Sequence, residues 1–210
     1  MIYRSPISHT PSRDLSAAYI KTLIPEGSAV ECYNFYDGSL ELNLVSHHRK
    51  VLAYTASYYV YEFWNNIANS KDRDDIYHQV TNSPEGFSKV MFPLLQDTWH
   101  HRRLPNTRAA LFYILSNCSS LGLASRGELV EHMFRPVILE RLRTYKQPNN
   151  FNIIYRPASS IDGTIDTHSG ASFWLFSKLK FNYDLFQEGK LWGVEETPVN
   201  HKKLRQALYQ

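Results

Sequence analysis

Hydrophobic positions in the first third of the chain switch between short apolar runs and helical spacing. Two apolar runs predict buried strands, and each is followed by apolar residues three and four positions apart, which is typical of a helix with one buried face. The predicted elements are helices at about 12–24, 39–47 and 58–67 and strands at 29–32 and 51–54. Strands that alternate with helices in this way predict an α/β fold with a parallel sheet.

The pattern becomes wholly helical from about residue 69 to residue 147. The predicted elements there are helices at about 71–80, from Pro84, at 105–117 and at 137–145, and a loop or short hairpin at 119–131. The alternating pattern then returns, with strands at 151–155 and 172–176, a polar loop at 159–170 and a last helix after Thr197. We therefore expect residues 1–68 and 148–210 to form the two halves of one α/β domain, with residues 69–147 as a helical insertion.

The same spacing predicts which side of a helix faces the core. For the first helix, the predicted inner residues are Leu15, Ala18, Tyr19 and Leu23. For the helix that begins at Pro84, they are Phe87, Val90, Met91 and either Leu94 or Leu95.

The turn after the first strand is the position where an α/β protein normally binds a mononucleotide-like ligand. Small residues are typical of such a turn, because the ligand approaches the backbone closely. Here the turn is bulky, and it consists of Tyr33, Asn34, Phe35, Tyr36, Asp37 and a single glycine, Gly38. Its rings either fill the vacated pocket or form a stacking platform for a base, and we favour the filled pocket.

Charge and cysteine usage narrow the function classes only slightly. The net charge of +3 is compatible with nucleic-acid binding, and basic residues cluster at 47–50, 100–103, 141–146 and 201–205, although solvated helix ends explain such clusters equally well. Cys32 and Cys118 are far apart in apolar surroundings, which predicts reduced, buried thiols in a cytosolic protein. No apolar run approaches the ~20 residues of a membrane span. The histidines lack the spacing of a zinc site, so we expect no metal.

Four segments, taken in order, resemble the Dam-type DNA adenine methyltransferases. Residues 3–6 are similar to the start of that family's first cofactor motif, and Val-Glu-Cys-Tyr at 30–33 with Gly-Ser-Leu-Glu-Leu-Asn-Leu at 38–44 resembles its first strand, turn and helix. Residues 108–129 resemble its recognition helix and hairpin, and residues 172–176 the strand that precedes its catalytic loop. The resemblance implies a truncated Rossmann-like S-adenosylmethionine (SAM) methyltransferase sheet with an inserted helical DNA-recognition subdomain.

The groups that this family's reaction requires are nevertheless replaced. Ile7-Ser8-His9 stands in place of the Gly-Gly-Lys of the first motif, and Tyr54-Thr55 stands where an acidic residue would bind the ribose of SAM. The Asp-Pro-Pro-Tyr loop, which would bind the target amine and stack on the flipped base, occurs nowhere in the sequence. We therefore expect a pseudo-methyltransferase with no catalytic residue and no cofactor.

The resemblance implies that the helical insertion contacts DNA. The expected DNA-binding residues are Arg102, Arg103, Asn106, Arg108 and Arg126. The first hypothesis is a catalytically inactive DNA-binding or accessory subunit of a nucleic-acid complex, cytoplasmic, with double-stranded DNA as its partner and a phage origin by family habit. The alternative is a protein–protein interaction module, since the many aromatic residues could leave Trp64, Trp99 or Trp192 free for an interface. An active SAM-dependent methyltransferase with a reshaped site is the third possibility.

Overall fold

The computed structural model of the protein describes residues 3–7, 18–33, 35–83, 88–130, 136–156 and 173–176. The strands are β1 (Ala29–Tyr33), β2 (Lys50–Thr55), β3 (Phe151–Tyr155) and β4 (Phe173–Phe176). The helices are α1 (18–23), α2 (Ser39–Ser46), α3 (Tyr58–Ala68), α4 (Ser70–Thr81), α5 (Met91–Thr98), α6 (Pro105–Cys118) and α7 (Pro136–Thr144), and a 3-10 helix at Trp99–His101 follows α5. The predicted polar loop at 159–170 and the helix after Thr197 lie outside the described residues.

The four strands form one parallel sheet in the order β3-β2-β1-β4, so the prediction of an α/β fold with a parallel sheet is confirmed. Neighbouring residues in register point to the same face, and successive residues of a strand point to opposite faces. Val30 and Cys32 accordingly belong to the main hydrophobic core. Glu31 and Tyr33 lie on the other face of the sheet.

The core is built around α6, which is buried along most of its length. The ring of Phe112 packs 5.0 Å from the ring of Phe63 on α3, measured between centroids, and Tyr113 stacks on the same Phe63 at 6.1 Å. Buried residues of α3, α4, α6 and α7 form one cluster with those of β1 and β2. The division into 1–68, 69–147 and 148–210 stays a prediction.

Local signals in the sequence explain where several elements begin. The Ser57 side chain caps α3 by accepting a hydrogen bond from the Val60 amide, and the Asn69 side chain caps α4 in the same way. Pro105 occupies the first turn of α6, where its missing amide hydrogen costs nothing. The predicted hairpin is short and irregular, with isolated antiparallel bridges between Ser119 and Leu129 and between Leu123 and Arg126.

The predicted inner faces of two helices are wrong. In the first helix, Tyr19 and Leu23 are exposed, and Ile20 and Ile24 pack on the core instead. These two pairs share the same spacing of four residues, so the spacing alone does not distinguish them. Leu15 lies outside the described residues, and Ala18 is exposed.

The helix α5 is rotated in the same manner relative to the prediction. Val90, Met91 and Leu94 are exposed, whereas Phe92 and Gln96 are buried. Leu95 is partly buried against the core, which agrees with one of the two alternatives for that position.

The expectation that Trp64 or Trp99 is free for an interface is also wrong. Both indoles are fully buried, and each donates a hydrogen bond inside the fold: Trp64 to the Tyr36 carbonyl at 2.8 Å and Trp99 to the Ser125 hydroxyl at 3.1 Å. Trp192 lies outside the described residues. In the described part of the chain, no helix has both the length and the apolar character to cross a membrane.

Candidate functional site

The turn after β1 is packed into the core rather than open to solvent. Phe35 and Tyr36 are both almost fully buried. The Phe35 amide bonds to the Tyr54 carbonyl at 2.8 Å, and its ring lies 5.1 Å from the Trp64 ring. Asn34 lies outside the described residues. A buried ring cannot stack on an incoming base, so the interpretation of this turn as an exposed stacking platform is wrong.

Tyr36 connects the turn to the helical region. Its hydroxyl lies 3.0 Å from the Ser116 hydroxyl on α6 and accepts a hydrogen bond from the Ala124 amide at 3.1 Å. Its ring packs 5.4 Å from the Phe112 ring. The residue therefore ties the end of β1 to α6 and to the hairpin that follows it.

Gly38 is required by the geometry of the turn. Its φ of 70° lies in the left-handed region, which favours glycine. A Cβ atom at this position would lie 2.7 Å from the Trp64 ring. Next to it, the Asp37 carboxylate accepts hydrogen bonds from the Ser39 amide and hydroxyl at 3.0 and 2.8 Å, which holds the first turn of α2. No side chain larger than hydrogen fits at Gly38 unless the Trp64 ring moves.

The segment at 3–7 closes the other side of this turn. The Ser5 hydroxyl donates a hydrogen bond to the Asp37 carbonyl, and Ile7 is fully buried in the core. Arg141 on α7 donates to the Ser5 carbonyl at 3.4 Å. Ile7, at the position where the resemblance predicts the start of a Gly-Gly-Lys motif, is thus a core residue.

A stack of side chains covers the carboxyl ends of β1 and β2. The Tyr33 and Tyr54 rings lie 4.9 Å apart at an angle of 19°, and the Arg156 guanidinium lies 4.6 Å from the centre of the Tyr54 ring. A cation over an aromatic face is attracted by the electron density of the ring. Arg156 was not expected as a site residue; its position directly after β3, at the carboxyl edge of the sheet, is the signal that could have identified it.

A buried carboxylate lies beneath this stack. The Tyr33 hydroxyl donates to one oxygen of Glu31 at 2.7 Å, and the Tyr54 hydroxyl donates to the other at 3.3 Å. Burial, and then the hydrogen bond to Glu31, raise the pKa of Tyr33. Tyr33 therefore stays protonated and donates its hydrogen to Glu31, so its hydroxyl does not act as a base.

The predicted DNA-binding residues have different surroundings. Arg108 binds the Glu62 carboxylate with two nitrogens, one of them at 2.8 Å, and donates to the carbonyls of Arg102 and Arg103 at 2.6 and 2.9 Å. The Arg102 and Arg103 side chains are exposed. Arg108 is therefore a structural residue that holds the loop carrying the other two arginines.

Asn106 and Arg126 complete the set. The Asn106 amide nitrogen donates to Asp72 and Asp75 at 3.1 and 2.9 Å, and its oxygen accepts from Asn66 at 3.2 Å. The negative charges of these two aspartates would repel a phosphate at this position. Arg126 is half-buried in the hairpin, with its carbonyl bonded to the Ser119 hydroxyl. The five residues thus do not form one exposed basic surface.

Both cysteines are free and buried, as expected from the sequence. Burial raises the pKa of Cys118 to about 11, and burial, followed by the nearby charge of Glu41, raises that of Cys32 as well. Both therefore remain thiols, which are poor nucleophiles.

Within the described ranges, no three histidine, cysteine or acidic side chains are grouped so that they could hold a metal ion.

A cleft of about 800 Å³ lies away from this turn, around the starts of β1 and β2. Polar side chains line much of it, among them Glu31, Lys50, Lys146, Gln147 and Asn152. None of the described residues of the turn contributes to its wall.

Comparison with protein-family models gives no match for the chain, and comparison with curated proteins gives none either.

Proposed function

We propose that the chain is a catalytically inactive protein with a methyltransferase-like sheet that acts as a DNA-binding or accessory subunit. The strand order β3-β2-β1-β4, with all strands parallel, supports the Rossmann-like assignment, because the doubly wound fold has 3-2-1-4 as its first strands. The helical insertion between α3 and β3 is the part that we assign to DNA.

The main observation in support of our proposal that the chain does not bind SAM is the stack of Tyr33, Tyr54 and Arg156. In a Rossmann-like enzyme, the cofactor lies over the carboxyl ends of the first two strands and an acidic residue after the second binds its ribose. Here a tyrosine ring and a guanidinium lie at that edge, 4.6 Å apart. No described carboxylate at the end of β2 replaces the missing acid, since the two residues there are Tyr54 and Thr55.

Titration calorimetry with SAM tests this proposal directly. We expect no heat of binding at ligand concentrations that saturate an active DNA adenine methyltransferase measured in the same way. Measurable binding of SAM would overturn the proposal and restore the active enzyme as the better hypothesis.

Arg102 and Arg103 support DNA binding, because both are exposed on the loop before α6. Arginines on a surface loop bind phosphates irrespective of sequence and make the affinity depend on salt. In a duplex-binding titration over a range of salt concentrations, we expect the double variant R102A/R103A to make the negative slope of log K against log salt shallower by about 1.8. The matched variant K50A/R143A, which removes two exposed charges elsewhere, should leave the slope unchanged. Absence of duplex binding at low salt would contradict DNA binding.

The exposed side of α5 favours the protein–protein module as a second candidate. Val90, Met91 and Leu94 are 74%, 45% and 53% exposed and lie on one side of the helix. Three neighbouring apolar side chains in water are typical of a contact surface. This candidate takes precedence if the chain binds no DNA at low salt.

A further inference from the structure

Three tyrosines form a surface patch at the carboxyl ends of β2 and β3. We call Tyr58, Tyr61 and Tyr155 the tyrosine patch. Tyr155 is the last residue of β3, and its ring centre lies 5.8 Å from that of Tyr58 and 6.3 Å from that of Tyr61. Tyr58 is 46% exposed, and the other two are partly exposed. This edge of a parallel sheet is where α/β proteins bind ligands.

Cationic groups flank the tyrosine patch on two sides. Arg156 follows Tyr155 directly, and its Nη1 atom is buried without a hydrogen-bond partner in the described part of the chain. On the other side, the Tyr58 hydroxyl bonds to Glu62, and Glu62 pairs with Arg108. The Glu62 charge is thereby compensated and does not repel an anion.

The chain of contacts continues to the exposed arginines. Arg108 donates to the carbonyls of Arg102 and Arg103. It thereby connects the loop that carries their side chains to Glu62 and, through Glu62, to Tyr58 of the patch. Exposed rings with cations on either side are the arrangement that single-stranded nucleic acids bind, since bases stack on rings while phosphates pair with basic side chains.

We propose that the tyrosine patch binds unpaired bases of a single-stranded nucleic acid. Arg156 on one side and Arg102 with Arg103 on the other bind its phosphates. This inference rests on the proposed nucleic-acid-binding function and names the form of nucleic acid that the chain prefers. A duplex keeps its bases stacked inside the helix and offers no ring face to the tyrosines, so it gains only the phosphate contacts.

Fluorescence anisotropy with a labelled oligothymidylate and with a labelled duplex, at the same salt, measures this preference. We expect tighter binding of the single strand, and we expect Tyr58→Ala to weaken it at least about fivefold while leaving duplex binding unchanged. Tyr58→Phe, which keeps the ring and loses only the hydroxyl, should retain the single-strand affinity. Tyr19→Ala, at an exposed tyrosine on α1, is the matched control and should have no effect.

The arginines give a second, independent readout. For the single strand, R102A/R103A should make the negative slope of log K against log salt shallower by about 1.4, since each phosphate contact contributes about 0.7. K50A/R143A should not change it. A preserved urea-unfolding midpoint in each variant shows that the fold is intact.

The outcomes separate the two proposals. Equal affinity for both forms, or an equal loss in Tyr58→Phe and Tyr58→Ala, would overturn the base-stacking role while leaving DNA binding by the arginines in place. Binding of neither form at low salt would overturn both and would leave the tyrosine patch as a protein-contact surface. Single-strand preference that Tyr58→Ala abolishes and Tyr58→Phe preserves supports the inference.

Discussion

The turn at 35–38 and the loop at 100–104 both carry residues whose chemistry suggested a ligand, but the fold uses them differently. The rings of the turn are buried against α3 and α6, and its glycine is pressed against Trp64. In the loop, the side chains of Arg102 and Arg103 are exposed to solvent. A third arginine, Arg108, holds the loop through hydrogen bonds to its carbonyls. Residue type alone therefore says little about function, because the partners across the fold decide whether a side chain remains available.

The largest effect that distinguishes the two regions is expected from Phe35→Ala. This ring contacts Trp64 and Phe151 in the core, so its removal leaves a cavity and should lower the free energy of unfolding by about 3–5 kcal/mol. Urea unfolding measures the change. Tyr19→Ala, at an exposed aromatic position, should change it by less than about 0.5 kcal/mol. Similar losses in both variants would show that the turn is not part of the core.

Gly38→Ala should lower the free energy of unfolding by about 2–4 kcal/mol. Part of this loss comes from the left-handed backbone and part from the clash of the new Cβ atom with Trp64. Gly27→Ala is the matched control, because Gly27 has a similar φ of 78° but no atom within 4 Å of the added Cβ. The difference between the two variants, in the same urea experiment, isolates the clash. A difference near zero would contradict the close packing of the turn on α3.

Arg108→Ala and Arg102→Ala compare a structural arginine with an exposed one. Removing Arg108 leaves the buried Glu62 carboxylate without its cationic partner and releases two carbonyls, so we expect a loss of about 2–3 kcal/mol in the free energy of unfolding. Arg102→Ala should change stability by less than about 0.5 kcal/mol. In a double-mutant cycle, E62A/R108A should lose less than the sum of its single variants. Additivity would contradict a direct pair.

The sequence determines the elements of this fold better than it determines their partners. The strands β1, β2 and β3 and the helices α6 and α7 lie within about two residues of their predictions, because apolar period, caps and prolines act locally. The spacing does not identify the inner faces of α1 and α5, since each helix has two apolar faces and only tertiary contacts determine which of them is buried. The role of Arg108 was likewise hidden, because its partner Glu62 is 46 positions away along the chain.

The smallest expected effect concerns His100, the first residue of the loop at 100–104. Its ring packs near Tyr59 and Trp99, and burial, followed by the charge of neighbouring His101, lowers its pKa below the ordinary value of 6.5, while Asp97 acts in the opposite direction. The unfolded chain therefore binds a proton more readily than the folded one once the pH falls below about 6.5, and stability should fall with it until the folded pKa is reached.

An NMR titration of the His100 ring should give a midpoint below 6.5, and His100→Gln should reduce the loss of stability between about pH 7 and pH 5. His47, whose pKa is also lowered by burial and by the charge of Lys21, contributes to the same loss, so the variant should flatten the profile only in part. A His100 midpoint at or above 6.5 would mean that the ring is solvated rather than packed near Tyr59 and Trp99.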